Sequence, residues 1–551
     1  MHGAHRNAGL IILALLIVAY LVPGLVGHDP WKADEPYTFG VVYHMLRTGD
    51  WIVPTVGGQP FVEKPPLYYW VSWATAAIAS PLLPVHDAAR IASAVFVLVA
   101  LGATAWAARL CWGEGAAAPA VLLFLATLGL ESHAQKMQVD LALLAGSGIA
   151  VLGFAACARD RAWAGPMLGL GVGAGFLGKG LFAPGVIGVT AVLLPLFFRQ
   201  WRRWRYATQL IYAAAVAAPA LLIWPVALYL RSQPLFVEWF WDNNFGRFAG
   251  FSVARLGAAY EPGSWSETLP WFLFPLWIYV IGAVAAERVR AWQQPGMQIG
   301  LTMALVSAIV LGTAVSMRAV YILPVVPPLV LAGVAGLRTP EGAAAKTLAI
   351  FSIALAAAGA IVVWGAWFLL ATQGTLPDSG RIARVLPLPF QMPLVPLAII
   401  AAVALTAGYI ALIALRAKLP APSLAIWVGT LALVWGLGMT LLTPWLDAAK
   451  SYREVFGDMA RHLPADPNCI VMDGPGESER ALVEYFTGVA PRRRFLHEEE
   501  CGALLWMGKV QNPHVPYAPD WKLAWSGNRP AESVEKFELF VHPRAAAQAA
   551  R

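Results

Sequence analysis

The sequence predicts an all-α polytopic membrane protein of about 13 transmembrane helices with juxtamembrane helices, followed by a small C-terminal α/β domain. Three observations predict it. Hydrophobic residues make up 58% of the 551 and charged residues only 13%, where a soluble domain carries roughly 25% charge. A water-soluble chain of this size has too little interior to hide that much apolar surface. The apolar residues also come in runs near the ~20 residues that a spanning helix needs. Finally, charge density rises sharply after residue 447. Disorder, collagen and a disulfide scaffold are excluded by the same composition.

The apolar runs are 8–26, 67–84, 88–110, 115–132, 138–157, 164–178, 181–198, 209–231, 269–286, 298–317, 319–337, 346–371, 392–415 and 422–444. Lys and Arg gather on the cytoplasmic side of short loops. With the N-terminus inside and 67–84 left out, the inside receives Arg6, Arg109, Arg159/Arg161 and Arg199/Arg202/Arg203/Arg205. Arg288/Arg290, Arg338/Lys346 and Arg416/Lys418 join them. Counting 67–84 as a span puts every later cluster outside. Leu67–Pro84, opening with Tyr68, Tyr69, Trp70 and Trp73, therefore reads as a helix lying in the interface. The net charge of +7 marks topology and not a nucleic-acid partner. The run 8–26 behind a short basic start reads as a retained first span and not a cleaved leader.

Residues 1–446 then form a membrane domain with outer loops at 27–87 and 232–268, and 447–551 form a soluble domain on the same outer face. Within the tail, Tyr452–Leu463 and Ser478–Phe486 read as helices, and Cys469–Met472 and Lys536–Val541 as strands. Cys469 and Cys501 face an oxidising compartment in this arrangement, which favours a disulfide. No repeat of fixed period is evident.

Ionisable groups at the ends of apolar helices need a reason, and this topology sends a set of them to the outer face. The first loop supplies Asp34-Glu35 and Glu63-Lys64-Pro65-Pro66. Later segments add Lys136, Asp140, Lys179, Asp242, Arg247, Arg318 and Tyr321. Each has an ordinary explanation alone: loop acids, a surface ion pair worth little, snorkelling lysines, or a dipole partner at a helix start. Their joint occurrence on one side points to chemistry. Lys and Arg neutralise phosphate, and Arg does so as a fork. A carboxylate orients or deprotonates an acceptor. Transfer of a sugar from a lipid phosphate needs both, because the leaving phosphate gains charge as the C1–O bond breaks. No Walker loop, dinucleotide fingerprint or zinc spacing is present, so no nucleotide cofactor is expected.

The set Asp34-Glu35, Glu63-Lys64-Pro65-Pro66-Leu67, Phe176-Leu177-Gly178-Lys179-Gly180, Asn244-Phe245-Gly246-Arg247-Phe248 and Tyr321-Ile322-Leu323-Pro324, with a basic residue four before Asp140, resembles the GT-C glycosyltransferases. The likeness is to the superfamily of aminoarabinose (lipid A) transferases and protein O-mannosyltransferases, over most of 1–445. The resemblance implies a bacterial inner-membrane enzyme with a periplasmic C-terminal domain, taking its sugar from a polyprenyl (undecaprenyl) phosphate; displacement by direct attack would invert the anomeric centre. It implies catalytic roles for Asp34 and Asp140, with Glu35 beside them. Lys64, Arg247 and Tyr321 would contact the lipid phosphate, assisted by Arg318, Lys136 and Lys179. Glu63, with Asp242, would be the place for a divalent metal ion. Asp242 stands where that branch tends to place histidine, Lys136 where arginine is common, and Arg318 at a different spacing. Sugar and acceptor therefore stay open between lipid A, another glycolipid, a polysaccharide and a protein. A flippase for lipid-linked sugars is the rival from another class, and a monomer among membrane lipids is the expected state.

Overall fold

The computed structural model describes residues 2–253, 264–314, 318–338, 342–377, 380–464, 467, 469–493, 501–509, 521–530, 532 and 534–542. The chain opens with α1 (His2–Leu21). A long first loop follows, carrying α2 (Glu35–Thr48), the hairpin β1 (Thr55–Val56) and β2 (Gln59–Pro60), and α3 (Leu67–Ala79). Next come α4 (Val85–Trp112), α5 (Ala117–Leu125), α6 (Leu128–Glu131), α7 (Asp140–Ala158), α8 (Ala164–Lys179), α9 (Phe182–Phe197) and α10 (Trp204–Arg231). Then α11 (Gln233–Val237), a π-helical segment Glu238–Gly246, α12 (Arg247–Ala249), α13 (Ser264–Phe272), α14 (Leu276–Glu287) and α15 (Pro295–Thr313) are met. A 3-10 stretch Ala319–Val325 runs into α16 (Val326–Gly333), followed by α17 (Ala343–Thr372), α18 (Pro396–Leu415), α19 (Pro422–Leu441) and α20 (Thr443–Lys450).

Among the described residues, 8 helices are long and apolar enough to cross a membrane. These are α4, α7, α10, α15, the segment Ala319–Leu337, α17, α18 and α19. A ninth is counted if α13 and α14, bent by 83° at their break, form one span. Of the other expected runs, α8 and α9 are helical but shorter, of 16 residues each. In α8 glycine governs the packing. A Cβ on Gly146 of α7 would sit 2.5 Å from the Gly175 backbone nitrogen, and one on Gly171 2.6 Å from that of Ala150. Small residues thus let α7 and α8 approach backbone to backbone, the contact that stabilises helix pairs in lipid. This makes α7 the buried axis of the bundle. The omitted run 67–84 is α3, whose 13 residues reach only about 20 Å against ~30 Å of hydrocarbon.

Beyond α20 the tail holds α21 (Arg453–Ala460), β3 (Ile470–Asp473), α22 (Glu477–Thr487), β4 (Pro491–Arg493), β5 (Ala503–Lys509), β6 (Lys522–Gly527) and β7 (Glu535–Val541). Its single sheet has the order β4-β3-β5-β7-β6, parallel from β4 to β5 and antiparallel from there. The helices α21 and α22 cover one side with Tyr452, Phe456, Met459, Leu482 and Val483. On the other side of the strands, Cys469 and Cys501 are joined, their Cα atoms 5.1 Å apart, beside Val471, Leu504 and Phe540. Cys111 and Cys157 are free and buried. Unfolded, unreduced protein should therefore titrate two thiols of the 4 cysteines and reduced protein all of them; four thiols before reduction would refute the pairing.

The tail lies directly on the first loop. Helix α22 crosses α2 so closely that a Cβ on Gly40 would fall 2.6 Å from that of Ala481. Phe39 meets Tyr485 edge-on at 4.8 Å, and the Tyr485 hydroxyl and His86 Nδ1 are 2.9 Å apart.

Candidate active site

Asp34 is the residue before the first turn of α2, and its side chain does not cap that helix, which leaves the carboxylate free to face outward from the loop. Three groups meet it. The Tyr37 hydroxyl donates to Oδ1 at 2.6 Å, Arg318 Nη2 donates to Oδ2 at 2.6 Å, and Gln138 Nε2 reaches Oδ2 at 3.5 Å. Burial works against the charged form, but the bonded Arg318 guanidinium and the Tyr37 hydroxyl overcome it and hold the Asp34 carboxyl below the usual carboxylate range. The Tyr37 hydroxyl, buried and facing that carboxylate, is pushed far up.

The first turn of α7 brings Asp140 to the same place. Lys179, the last residue of α8, pairs with Asp140 Oδ1 and stands 3.3 Å over the Tyr321 ring. The snorkelling reading of Lys179 is thereby replaced: its side chain is buried against a carboxylate and a ring. Glu63 and Lys64 precede α3, separated from it by Pro65 and Pro66. Arg247 Nη1 donates to Glu63 Oε2 at 3.3 Å, with Lys64 Nζ 3.8 Å from the same oxygen. Burial lowers the Lys64 ammonium below the ordinary lysine value, and it feels Glu63, Arg247, Asp140 and Arg318 as its charged neighbours. Glu63 itself is held low by Lys64 and Arg247 against its burial. The Nε of Arg247 is buried with no hydrogen-bond partner among the described residues. A buried guanidinium N–H without a partner is uncommon in folded proteins and calls for an explanation.

Asp34, Lys64, Asp140, Lys179, Arg247, Arg318 and Tyr321 thus converge from six separate segments. Lys136 does not join them through any bond of its side chain; its backbone carbonyl accepts from Ser93. Glu35 needs a correction. It is not poised beside Asp34 as a second reacting acid but is 3% exposed, with Arg90 Nε and the Met137 N–H on Oε1 and the Trp31 N–H on Oε2. Its carboxylate is consumed in holding the loop against α4 and the start of α7. The metal expectation also fails to fit. Glu63 faces two cations, which disfavour a divalent ion on the same oxygens. Asp242 sits in the π-helical segment, where its backbone carbonyl accepts from Ser252. No group of three or more His, Cys, Asp or Glu able to hold a metal is found among the described residues.

The sequence reading missed Arg90, Tyr37 and Gln138. Arg90 carried a usable signal, an ionisable residue inside an apolar run, three residues after Asp87. Tyr37 and Gln138 carried none, because only the fold brings them to Asp34.

Comparison with known proteins places the fold. The structure superposes on the crystal structure of ArnT from Cupriavidus metallidurans bound to undecaprenyl phosphate with a TM-score of 0.68, at 17% identity, covering 96% of this chain and 97% of that one. The apo form of the same protein gives 0.67 at 16% identity, covering 97% and 98%. The chain therefore shares the fold of that protein. In sequence it is 30% identical over 293 residues to an undecaprenyl phosphate-alpha-4-amino-4-deoxy-L-arabinose arabinosyl transferase of Pseudomonas paraeruginosa, covering 49% of this chain and 51% of that one. It is 27% identical over 350 residues to the enzyme of the same name from Pseudomonas savastanoi pv. phaseolicola, covering 60% and 61%. The chain spans about half the length of the first of these relatives. Residues 63–229 match the family described as dolichyl-phosphate-mannose-protein mannosyltransferase.

Proposed function

We propose that this chain is an integral-membrane glycosyltransferase. It moves a sugar from an undecaprenyl-phosphate carrier to an acceptor at the periplasmic face of the bacterial inner membrane, with lipid A or another envelope glycolipid as the acceptor. Thirteen spans, an inside N-terminus and an outside tail accompany this reading. The observation that carries it is the convergence of Arg318 on Asp34, Lys179 on Asp140, and Lys64 with Arg247 on Glu63, with one guanidinium N–H of Arg247 unpaired among the described residues.

In this reading an acceptor oxygen attacks C1 of the sugar from the face opposite the lipid phosphate. The C1–O bond breaks, its electron pair stays on the phosphate oxygen, and the anomeric centre inverts. Lys64 and Arg247 meet the charge that grows on the phosphate. Fixed cations in a site of low dielectric stabilise that charge more than the ground state. Asp34, held more acidic than an ordinary carboxylate, is a poor proton acceptor and a good hydrogen-bond acceptor. That suits orienting a nucleophile which is already anionic, such as an acceptor phosphate, better than deprotonating a hydroxyl. No step needs a metal, and transfer in excess EDTA should match the untreated rate.

Mass spectrometry of envelope glycolipids with and without the gene tests the proposal, paired with transfer by purified protein in detergent. Loss of a sugar-modified glycolipid and turnover without a gradient support it. An unchanged glycolipid profile with sugar missing from secreted proteins would instead favour the protein acceptor suggested by the family match over 63–229. Absence of turnover would favour a flippase.

A further inference from the structure

We propose that the C-terminal domain is a clamp that positions Asp34, acting through the three residues that precede it in the chain. This rests on the reading of Asp34 as the site carboxylate. Trp31, Lys32 and Ala33 are each held from beyond the first loop. The Trp31 indole Nε1–H donates to Asp447 of α20 at 2.8 Å. Lys32 pairs with Glu479 of α22 and lies 2.6 Å from Glu535 at the start of β7. The Ser478 hydroxyl donates to the Ala33 carbonyl at 3.0 Å. Two residues further back, Asp29 accepts from the Ser451 hydroxyl at 2.6 Å and from Arg453 Nε at 2.9 Å.

These partners are themselves fixed. Glu535 also accepts from the Tyr452 hydroxyl at 2.8 Å and from Arg529 at 3.2 Å, and Glu479 is buried. On the far side of Asp34, α2 is pressed by α22 through Gly40 and Ala481. The loop is therefore gripped by the tail on both sides of one carboxylate. The backbone of residues 31–33 forms no regular strand or helix, so its path is set by the bonds from the tail together with the Trp31 N–H bond to Glu35 at 3.1 Å. A displacement of about 1 Å at a reacting group can cost about 10²-fold in rate. Lys32, Ser478 and Glu535 are positioning residues in this scheme and touch no substrate.

The test uses the full-length protein in detergent. Lys32→Met and Ser478→Ala should each lower kcat for sugar transfer by tenfold or more, leave KM for the undecaprenyl-phosphate sugar unchanged, and raise hydrogen exchange in peptides covering 31–38. Lys32→Arg should restore both. Lys536→Met, which breaks the 2.6 Å pair with Glu538 inside the tail sheet, should change neither. If Lys32→Met and Ser478→Ala lower only thermal stability, or Lys536→Met has the same effect, the clamp is refuted. Faster exchange at 31–38 in a protein whose wild type transfers no sugar would support the clamp and refute glycosyl transfer.

Discussion

Asp34→Asn is expected to reduce sugar transfer by about 10³-fold while leaving the affinity for undecaprenyl phosphate within a factor of a few. The carboxylate stands apart from the Glu63–Lys64–Arg247 group, so the phosphate site survives the change. What is lost is the charged acceptor of the Tyr37 and Arg318 hydrogen bonds and the group that faces the nucleophile. An asparagine turned with its amide nitrogen toward Arg318 sets donor against donor, so the guanidinium is released as well. Arg318→Ala separates the two effects: it keeps the Asp34 charge and should cost less. The pH profile follows from the same neighbours. Asp34 is held below the usual carboxylate range, so the rate falls on the acid side only as pH drops through a value under about 3.9. Lys64 is held below the ordinary lysine value by its burial, so phosphate binding weakens as pH rises, at a pH below the ~10.4 of a free lysine. Initial rates and donor affinities across pH measure both limbs. A wild-type acid limb retained in Asp34→Asn, or a full rate in that variant, would remove Asp34 from the mechanism.

The helical membrane domain was legible because lipid imposes a simple rule: apolar residues in long runs, with basic residues to orient them. That rule worked where a run forms one straight helix, as at α17 and α19, and lost resolution where backbone geometry intervenes. The run 115–132 is interrupted between α5 and α6, and 269–286 is bent between α13 and α14. The candidate site was legible through charge. Asp34, Lys64, Asp140, Lys179, Arg247 and Arg318 are ionisable groups at helix ends, costly enough in that setting to stand out. Charge alone does not say which way a residue faces. Glu35 and Asp34 are adjacent in the chain and alike in chemistry, yet the first turn of α2 sends one inward to Arg90 and leaves the other in the site. In the tail, β5 and β6 were missed because their alternation is weak: the Ala503–Lys509 strand is buried over three consecutive residues.

Arg90→Met is expected to be the most destabilising single substitution around the site, by about 3–5 kcal/mol. The Arg90 side chain is fully buried within α4 and bridges two acids, with Nε 2.9 Å from Glu35 and Nη1 2.6 Å from Asp87. It also donates to the Leu25 carbonyl at 3.1 Å and the His28 carbonyl at 3.2 Å. Methionine fills much of the same volume, so little cavity is made. The loss is instead two buried carboxylates without a cation and two carbonyls without a donor. The pH dependence identifies the cause. Against its burial, Arg90 holds the Glu35 carboxyl below its usual range. A depressed folded-state pKa contributes stability that is present above the unfolded value and lost as pH falls through the folded one. Without Arg90, burial is the largest influence left on Glu35, opposed by His28 and by the Trp31 and Met137 N–H groups, so its carboxyl rises and the variant should be weakest at neutral pH and recover toward pH 4. Adding Glu35→Gln and Asp87→Asn to Arg90→Met removes the uncompensated charges and should regain part of the loss at neutral pH. Thermal unfolding in detergent at pH 7 and pH 4.5 measures each case. Equal stability of wild type and Arg90→Met at pH 7 would show that the two acids are already neutral, and the loop would then be held by its backbone hydrogen bonds and not by the ion cluster.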